Sequence, residues 1–195
     1  MGNQWIYKPI TRFMKKYFIL VFSIVLVQCV FSQKMMTRSG EIKFEASMPS
    51  FEEIAATNKS ASCIFDQKTG EFVVLGLVKE FKFKVPLMEE HFNENYIESS
   101  KFPKASFKGK VVNYDATKIT STKTAYDLEG DLTLHGVTKK IKTKIYLSLK
   151  DGKVVATTNF NVKAKDYSIS IPSLVKNKIA EDIKIGINFL LEVKK

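Results

Sequence analysis

Residues 130–149 read Gly130-Asp-Leu-Thr-Leu-His-Gly-Val-Thr-Lys-Lys-Ile-Lys-Thr-Lys-Ile-Tyr-Leu-Ser-Leu149. Leu128 just ahead of this stretch, then Gly130, Leu132 and Leu134, fall on one face. Beyond His135-Gly136, Ile141, Thr143, Ile145, Leu147 and Leu149 do the same. Glu129, Asp131 and Thr133, then Lys140, Lys142, Lys144, Tyr146 and Ser148, take the alternate positions. A two-residue period belongs to a strand with one face buried and one wet. His135-Gly136 predicts a tight connection, with the glycine where the chain needs positive φ or a close backbone approach. The stretch is therefore an antiparallel hairpin.

The same alternation spreads outward from it. Ala105, Phe107, Gly109 and Val111 alternate with Ser106, Lys108 and Lys110. After the turn pair Asp151-Gly152, Val154, Ala156, Thr158, Phe160 and Val162 form an inward row. The last strand is the most regular, with Ile183, Ile185, Ile187, Phe189, Leu191 and Val193 on one face. Upstream, Ile42, Phe44 and Ala46 point inward, while 33–40 is polar and reads as a loose lead-in. Pro49 breaks the pattern, and Ser50 with Glu53 three residues on predicts a capped helical turn. Residues 60–66 read as a short strand and 67–70 as a turn. Residues 71–84 read as a longer strand region with a bulge or bend at Gly76. Pro86 opens the one helical signal, which runs to Ile97 with acids in its early turns. Residues 99–104 predict a turn, 117–123 a turn or weak edge, and 166–179 an irregular segment around Pro172. The sum is an all-β chain of roughly eight antiparallel strands with one short helix, the pattern of a barrel or sandwich. Without repeats or a low-complexity linker, residues 33–195 read as one domain.

Residues 1–32 stand apart. Lys8, Arg12, Lys15 and Lys16 form a basic segment without acids, and 18–31 is almost wholly apolar. That run is shorter than the ~20 residues of a membrane span and fits the core of a secretory signal peptide. Val30-Phe31-Ser32 ends on a small residue, which predicts cleavage before Gln33. A retained membrane anchor is one alternative. Lipid attachment at Cys29 is another, opposed by Gln28, where a small residue is preferred. Cleavage would remove 4 of the 31 basic residues and none of the 20 acids, leaving 27 − 20 = +7, and would also remove Trp5. Cys63 then stands alone in Ala-Ser-Cys-Ile-Phe and reads as a small buried hydrophobe rather than a nucleophile.

The sequence has no glycine-rich phosphate loop and no Gly-x-Ser-x-Gly elbow. Its two histidines, His91 and His135, are not spaced as a metal pair. Both read as structural, His135 as a turn residue. These absences speak against an enzyme and call for no cofactor or metal. The lysines of 140–144 lie along one strand face without the interleaved aromatics that single-stranded nucleic acid requires. A solvated face explains them, and a weak attraction to anionic membrane surfaces stays open.

Three blocks, in order, resemble the YceI-like family. They are Ile97-Glu-Ser-Ser-Lys-Phe-Pro-Lys-Ala-Ser-Phe-Lys-Gly109, the Gly130 to Lys139 strand-turn, and Asp166-Tyr-Ser-Ile169 with the Glu181-Asp-Ile-Lys-Ile185 strand. Residues 49–63 depart from the family pattern. The resemblance implies an exported, lipocalin-like antiparallel barrel of the periplasm that holds a long isoprenoid chain in an apolar pore, with no established catalytic residue. The expected function is a carrier or sequestering protein for an isoprenoid-like or other long-chain lipid. The alternative is a packed barrel with a structural or interaction role and no bound lipid. The inward rows supply the candidate ligand contacts Phe72, Phe107, Leu132, Ile145, Ala156, Phe160, Ile185, Ile187 and Phe189. A barrel of this strand number holds either packed side chains or one slender ligand, and the sequence leaves both open, along with the oligomeric state.

Overall fold

Both central residues of the His135-Gly136 connection have positive φ, 49° and 74°. This is the type I′ geometry whose twist matches that of the strands it joins. The computed structural model describes residues 34–49 and 51–193. The expected signal peptide and the helix cap Ser50 lie outside the described residues.

The described residues form nine strands: β1 (Lys34–Ser47), β2 (Ala55–Asp66), β3 (Glu71–Leu77), β4 (Lys82–Phe83), β5 (Lys104–Val112), β6 (Thr124–Leu134), β7 (Val137–Lys150), β8 (Lys153–Lys163) and β9 (Ile179–Val193). One short helix, α1 (Pro86–His91), widens into a π turn over Phe92–Tyr96. The hydrogen-bonded order β1-β9-β8-β7-β6-β5-β3-β2 returns to β1 through an antiparallel β1–β2 pairing. Eight strands thus close into an antiparallel barrel, which removes every free edge from the ring. The two-residue β4 pairs with β2 outside it. The expected fold class holds.

The departures from expectation have local causes. Residues 34–40, read as a loose lead-in, are the first part of β1, because β2 and β9 both offer backbone partners there. The register of β1 shifts on both sides of Gly40, and the polar residues of this stretch ride on that irregularity. Residues 51–54 form an extended connection and not the helical turn expected after Ser50, because the chain is already running into β2. β2 begins at Ala55, five residues earlier than expected, and pairs with both β1 and β4. Gly76 is no bulge, for β3 runs through it in unbroken register with β5, Gly76 opposite Ala105. The bend comes at the 3-10 turn Val78–Glu80, and β4 then doubles back onto Ala56 and Thr57.

The barrel is filled unevenly. At the end that carries the β2–β3 and β7–β8 turns, Met35, Phe65, Phe72, Leu147, Phe189 and Leu191 are fully buried. The Phe72 ring lies between its neighbours, tilted against Phe65 at 5.8 Å and stacked on Phe189 at 6.3 Å by ring centroids. A Cβ at Gly40 would stand 2.2 Å from the Phe189 ring, so this glycine is what lets the ring lie across β1. At the opposite end, inward Leu134, Ile141, Phe160, Ile183, Ile185 and Ile187 are only partly buried. Their free area faces a hollow.

Candidate functional site

The hollow opens at the barrel end that carries the His135-Gly136 turn, α1 and the β8–β9 connection. The space open to the centre of a water-sized sphere is ≈ 160 Å³. Its wall is apolar almost throughout: Ile42 and Phe44 from β1, Phe107 from β5, Leu132 and Leu134 from β6, Ile141 from β7, Phe160 and Val162 from β8, and Ile183, Ile185 and Ile187 from β9. Thr158 is one of the few polar residues on it, and its hydroxyl is already spent as a donor to the Lys144 carbonyl. So apolar a wall offers burial and little for a charged guest to bond.

Above this cup a second hollow of ≈ 350 Å³ lies among the β1–β2 turn, α1 and the β8–β9 connection. Glu52, His91, Tyr96 and Lys178 stand on its wall among Phe51, Phe83 and Val175. Phe44 and Phe92 border both spaces. They belong to a cluster of four phenylalanines, with Phe44 5.6 Å from Phe81, 5.6 Å from Phe83 and 5.2 Å from Phe92. This cluster forms one side of the neck between the two spaces, and Ile97, Ala164, Ile169 and Ile183, which also border both, complete it.

The rim is tied together at His135. Its Nδ1 is hydrogen-bonded with the Tyr167 carbonyl oxygen at 3.1 Å, and its Nε2 with Glu98 Oε2 at 3.1 Å. Phe102 packs edge-on against the imidazole, 4.3 Å between centroids. One side chain thereby joins the β6–β7 turn, the segment before β5 and the β8–β9 connection. Glu98 also bonds Lys101, and Lys101 first and His135 second hold its carboxyl below the usual carboxylate range. The turn reading of His135 is right about its backbone and misses this clasp.

The profile of the YceI-like domain matches residues 28–191. The chain belongs to the YceI-like family. A polyisoprenoid-binding domain from Saccharophagus degradans, implicated in plant cell wall breakdown, is similar in structure with a TM-score of 0.71. The two are 15% identical over 84% of this chain and 100% of that one. BcnA of Burkholderia cenocepacia has a TM-score of 0.64 at 13% identity, over 79% of this chain and 96% of its own. The YceI protein of Campylobacter jejuni has a TM-score of 0.56 at 18% identity, over 76% and 89%. At these identities the likeness is one of fold. A search of curated proteins finds no match.

The YceI-like blocks now have physical reasons. Gly109 and Gly130 pair across β5 and β6, and the Phe107 ring lies over them. A Cβ would stand 2.4 Å from Phe107 Cζ at Gly109 and 2.7 Å from it at Gly130. The ring is thus laid flat against the wall, out of the lumen. At the turn, a Cβ on Gly136 would meet the Phe102 ring at 2.7 Å, which links the aromatic-Pro pair Phe102-Pro103 to the His135-Gly136 turn.

Of the residues singled out in sequence, Phe72, Phe107, Leu132, Phe160, Ile185 and Ile187 line the cup. Ile145, Ala156 and Phe189 are fully buried in the packed end. Sequence reasoning passed over Phe81, Phe92, Ile97, Tyr167 and Ile169, which complete the mouth. They sit in turns and short helical segments where no two-residue period marks an inward side. The surviving signal was the density of phenylalanine at 81, 83 and 92.

Elsewhere the chemistry is bland. Burial pushes the Cys63 thiol well up, away from reactivity. On the outer face, Lys142 and Lys144 pair across the strands with Glu129 and Asp127 at 3.1 and 2.6 Å. Among the described residues no group of three or more His, Cys, Asp or Glu is placed to hold a metal.

Proposed function

We propose that this protein encloses the apolar chain of an isoprenoid-like or other long-chain amphiphile, and carries or sequesters it. The observation that carries the proposal is the apolar cup, walled by Ile, Leu and Phe side chains whose free area faces the hollow. Each chain methylene moved from water into such a wall contributes about 0.8 kcal/mol. The Saccharophagus degradans domain, described as polyisoprenoid-binding, has the same fold and supports the same class of guest. The proposal includes no catalytic step, no cofactor and no nucleic acid. It includes export, with residues 1–32 as a signal peptide, a periplasmic or secreted mature protein, and at most brief contact with an anionic membrane surface.

Organic extraction of the purified protein followed by mass spectrometry is the test. Near-stoichiometric recovery of a long-chain lipid, or uptake of added isoprenoid into emptied protein, is the expected result. Neither, in repeated preparations, would leave the packed-barrel role that the filled end favours. Export is tested on the same sample: the mature chain is expected to begin near Gln33, and retention of Trp5 would refute it.

A further inference from the structure

We infer that the floor of the cup is a length gauge: the protein takes a single apolar chain tail first and discriminates among chains by where the tail meets Phe72 and, beneath it, Phe189. This deepens the lipid-binding proposal and rests on it.

The cup is blind. Phe72 is fully buried yet borders the hollow, so its ring is the floor. Phe189 lies beneath, stacked on Phe72 with an interplanar angle of 25°, and reaches over Gly40 onto β1. Two rings thus bridge β3, β9 and β1 across the lumen. Met35, Leu147 and Leu191, all fully buried, fill the space below. A packed ring pair is a hard stop, because interiors of this kind yield little to an inserted group. The contrast with Phe107 is informative. That ring is laid against the wall over Gly109 and Gly130, whereas Phe189 is laid across the barrel by Gly40. Glycines thus clear the lumen in one place and block it in the other.

The depth follows from the strands. Leu134 marks the rim and Leu128 the level of the floor on β6, and both border the hollow. Six residues at ~3.3 Å per residue, tilted ~40°, give about 15 Å of depth. A tail gains burial with each added methylene until it touches the floor. Further carbons then stay at the neck or in the wetter outer space, with Glu52, His91, Tyr96 and Lys178 on its wall. Affinity is therefore expected to rise about fourfold per methylene and then level off.

The test uses the purified, delipidated protein. Unbranched carboxylic acids from octanoic to octadecanoic displace a fluorescent alkyl probe, and affinity is plotted against chain length. A break in slope is expected between decanoic and tetradecanoic acid. Phe72→Leu shrinks the floor ring itself and should move the break to longer chains, with an approximately fourfold gain for the first acid beyond the original break. Ile187→Phe places a ring in the hollow just above the floor, leaves the packed end untouched, and should move the break to shorter chains. It keeps the test alive if Phe72→Leu fails to fold, as circular dichroism would report. A break at one chain length in all folded proteins, or affinity still climbing at octadecanoic acid, would overturn the gauge while sparing the lipid-binding proposal. Absence of probe and acid binding at every length would overturn both.

Discussion

Phe189 and Ile185 stand four residues apart on the same inward row of β9, in opposite surroundings. Phe189 is fully buried against Phe72 and over Gly40, while Ile185 faces the hollow. The alternation that placed both inward is identical. What differs is where the rings lie: Phe65, Phe72 and Phe189 converge across the lumen with Leu147 and Leu191 at one end, while at the other Phe107 hugs the wall and Phe44, Phe81, Phe83 and Phe92 gather at the neck above a wall of mostly Ile and Leu. Direction is set by strand period, but whether a barrel is solid or hollow is set by volumes summed across strands distant in sequence.

The largest expected difference is between two truncations. Phe189→Ala should cost about 3–5 kcal/mol, since it leaves a void among rigid neighbours. Phe160→Ala, whose ring already has open space beside it, should cost about 1–2 kcal/mol. Equal losses in urea denaturation would erase the distinction between the ends.

Insertion gives the complementary contrast. Ala156 is fully buried between Leu147 on β7 and Phe189 on β9, so Ala156→Phe should lose about 1–3 kcal/mol by overpacking. Ile185→Phe should retain nearly full stability and lose most lipid uptake. Thermal melts paired with lipid extraction separate the two, and a stable Ala156→Phe protein would mean that the packed end has hidden room.

A smaller effect sharpens the mouth. Asn tolerates the positive φ of position 135, so His135→Asn should keep the turn. It removes the link to Glu98 and Tyr167, and the rim should then open more often. Faster lipid release with a melting temperature nearly unchanged is expected in stopped-flow and thermal measurements, whereas unchanged release would reduce His135 to a turn residue.

The smallest effects come from pH, with opposite signs at the two ends. Glu98 at the mouth has its carboxyl held down by Lys101 and His135. Its contribution is complete above about pH 4.3 and is lost as pH falls through the lower folded-state value. Tyr114, packed against Phe65 and Tyr126 at the solid end, has its hydroxyl pushed up to about 12, chiefly by burial. Its contribution is complete below about pH 10 and is lost as pH rises toward about 12. Hydrogen exchange should show acid loosening the mouth first and base the solid end first. The same order in both directions would contradict this assignment.

The strands were legible because their period is local. The type I′ hairpin, the inward rows of β8 and β9 and the Pro86 helix all follow from spacing and turn residues. The first part of β1 was not, since residues 34–40 pair only because β2 and β9 arrive on either side. The doubling back of β4 was hidden for a related reason: Phe81 and Phe83 fall on the odd-numbered parity of Val73, Leu75 and Leu77, the outer side of β3, and only the break at Val78–Glu80 turns them toward the neck. The cup was half legible. Ile185, Ile187 and Phe160 could be placed facing inward, but nothing near them in sequence tells that Ala156, two residues from Thr158, lies in packed core. That depends on Phe189 of β9, and on the missing side chain at Gly40 of β1.

The seam between β1 and β9 has a consequence for how the protein comes into being. Residues 34–47 need residues 179–193 as hydrogen-bonding partners, and Phe189, which backs the floor ring Phe72, is itself delivered by β9. The ring therefore cannot shut until residues 179–193 have been synthesised. Such distant pairing makes folding slow and late. A growing chain has neither cup nor floor, only a sheet with open edges, and captures no guest in the finished geometry before its last strand arrives.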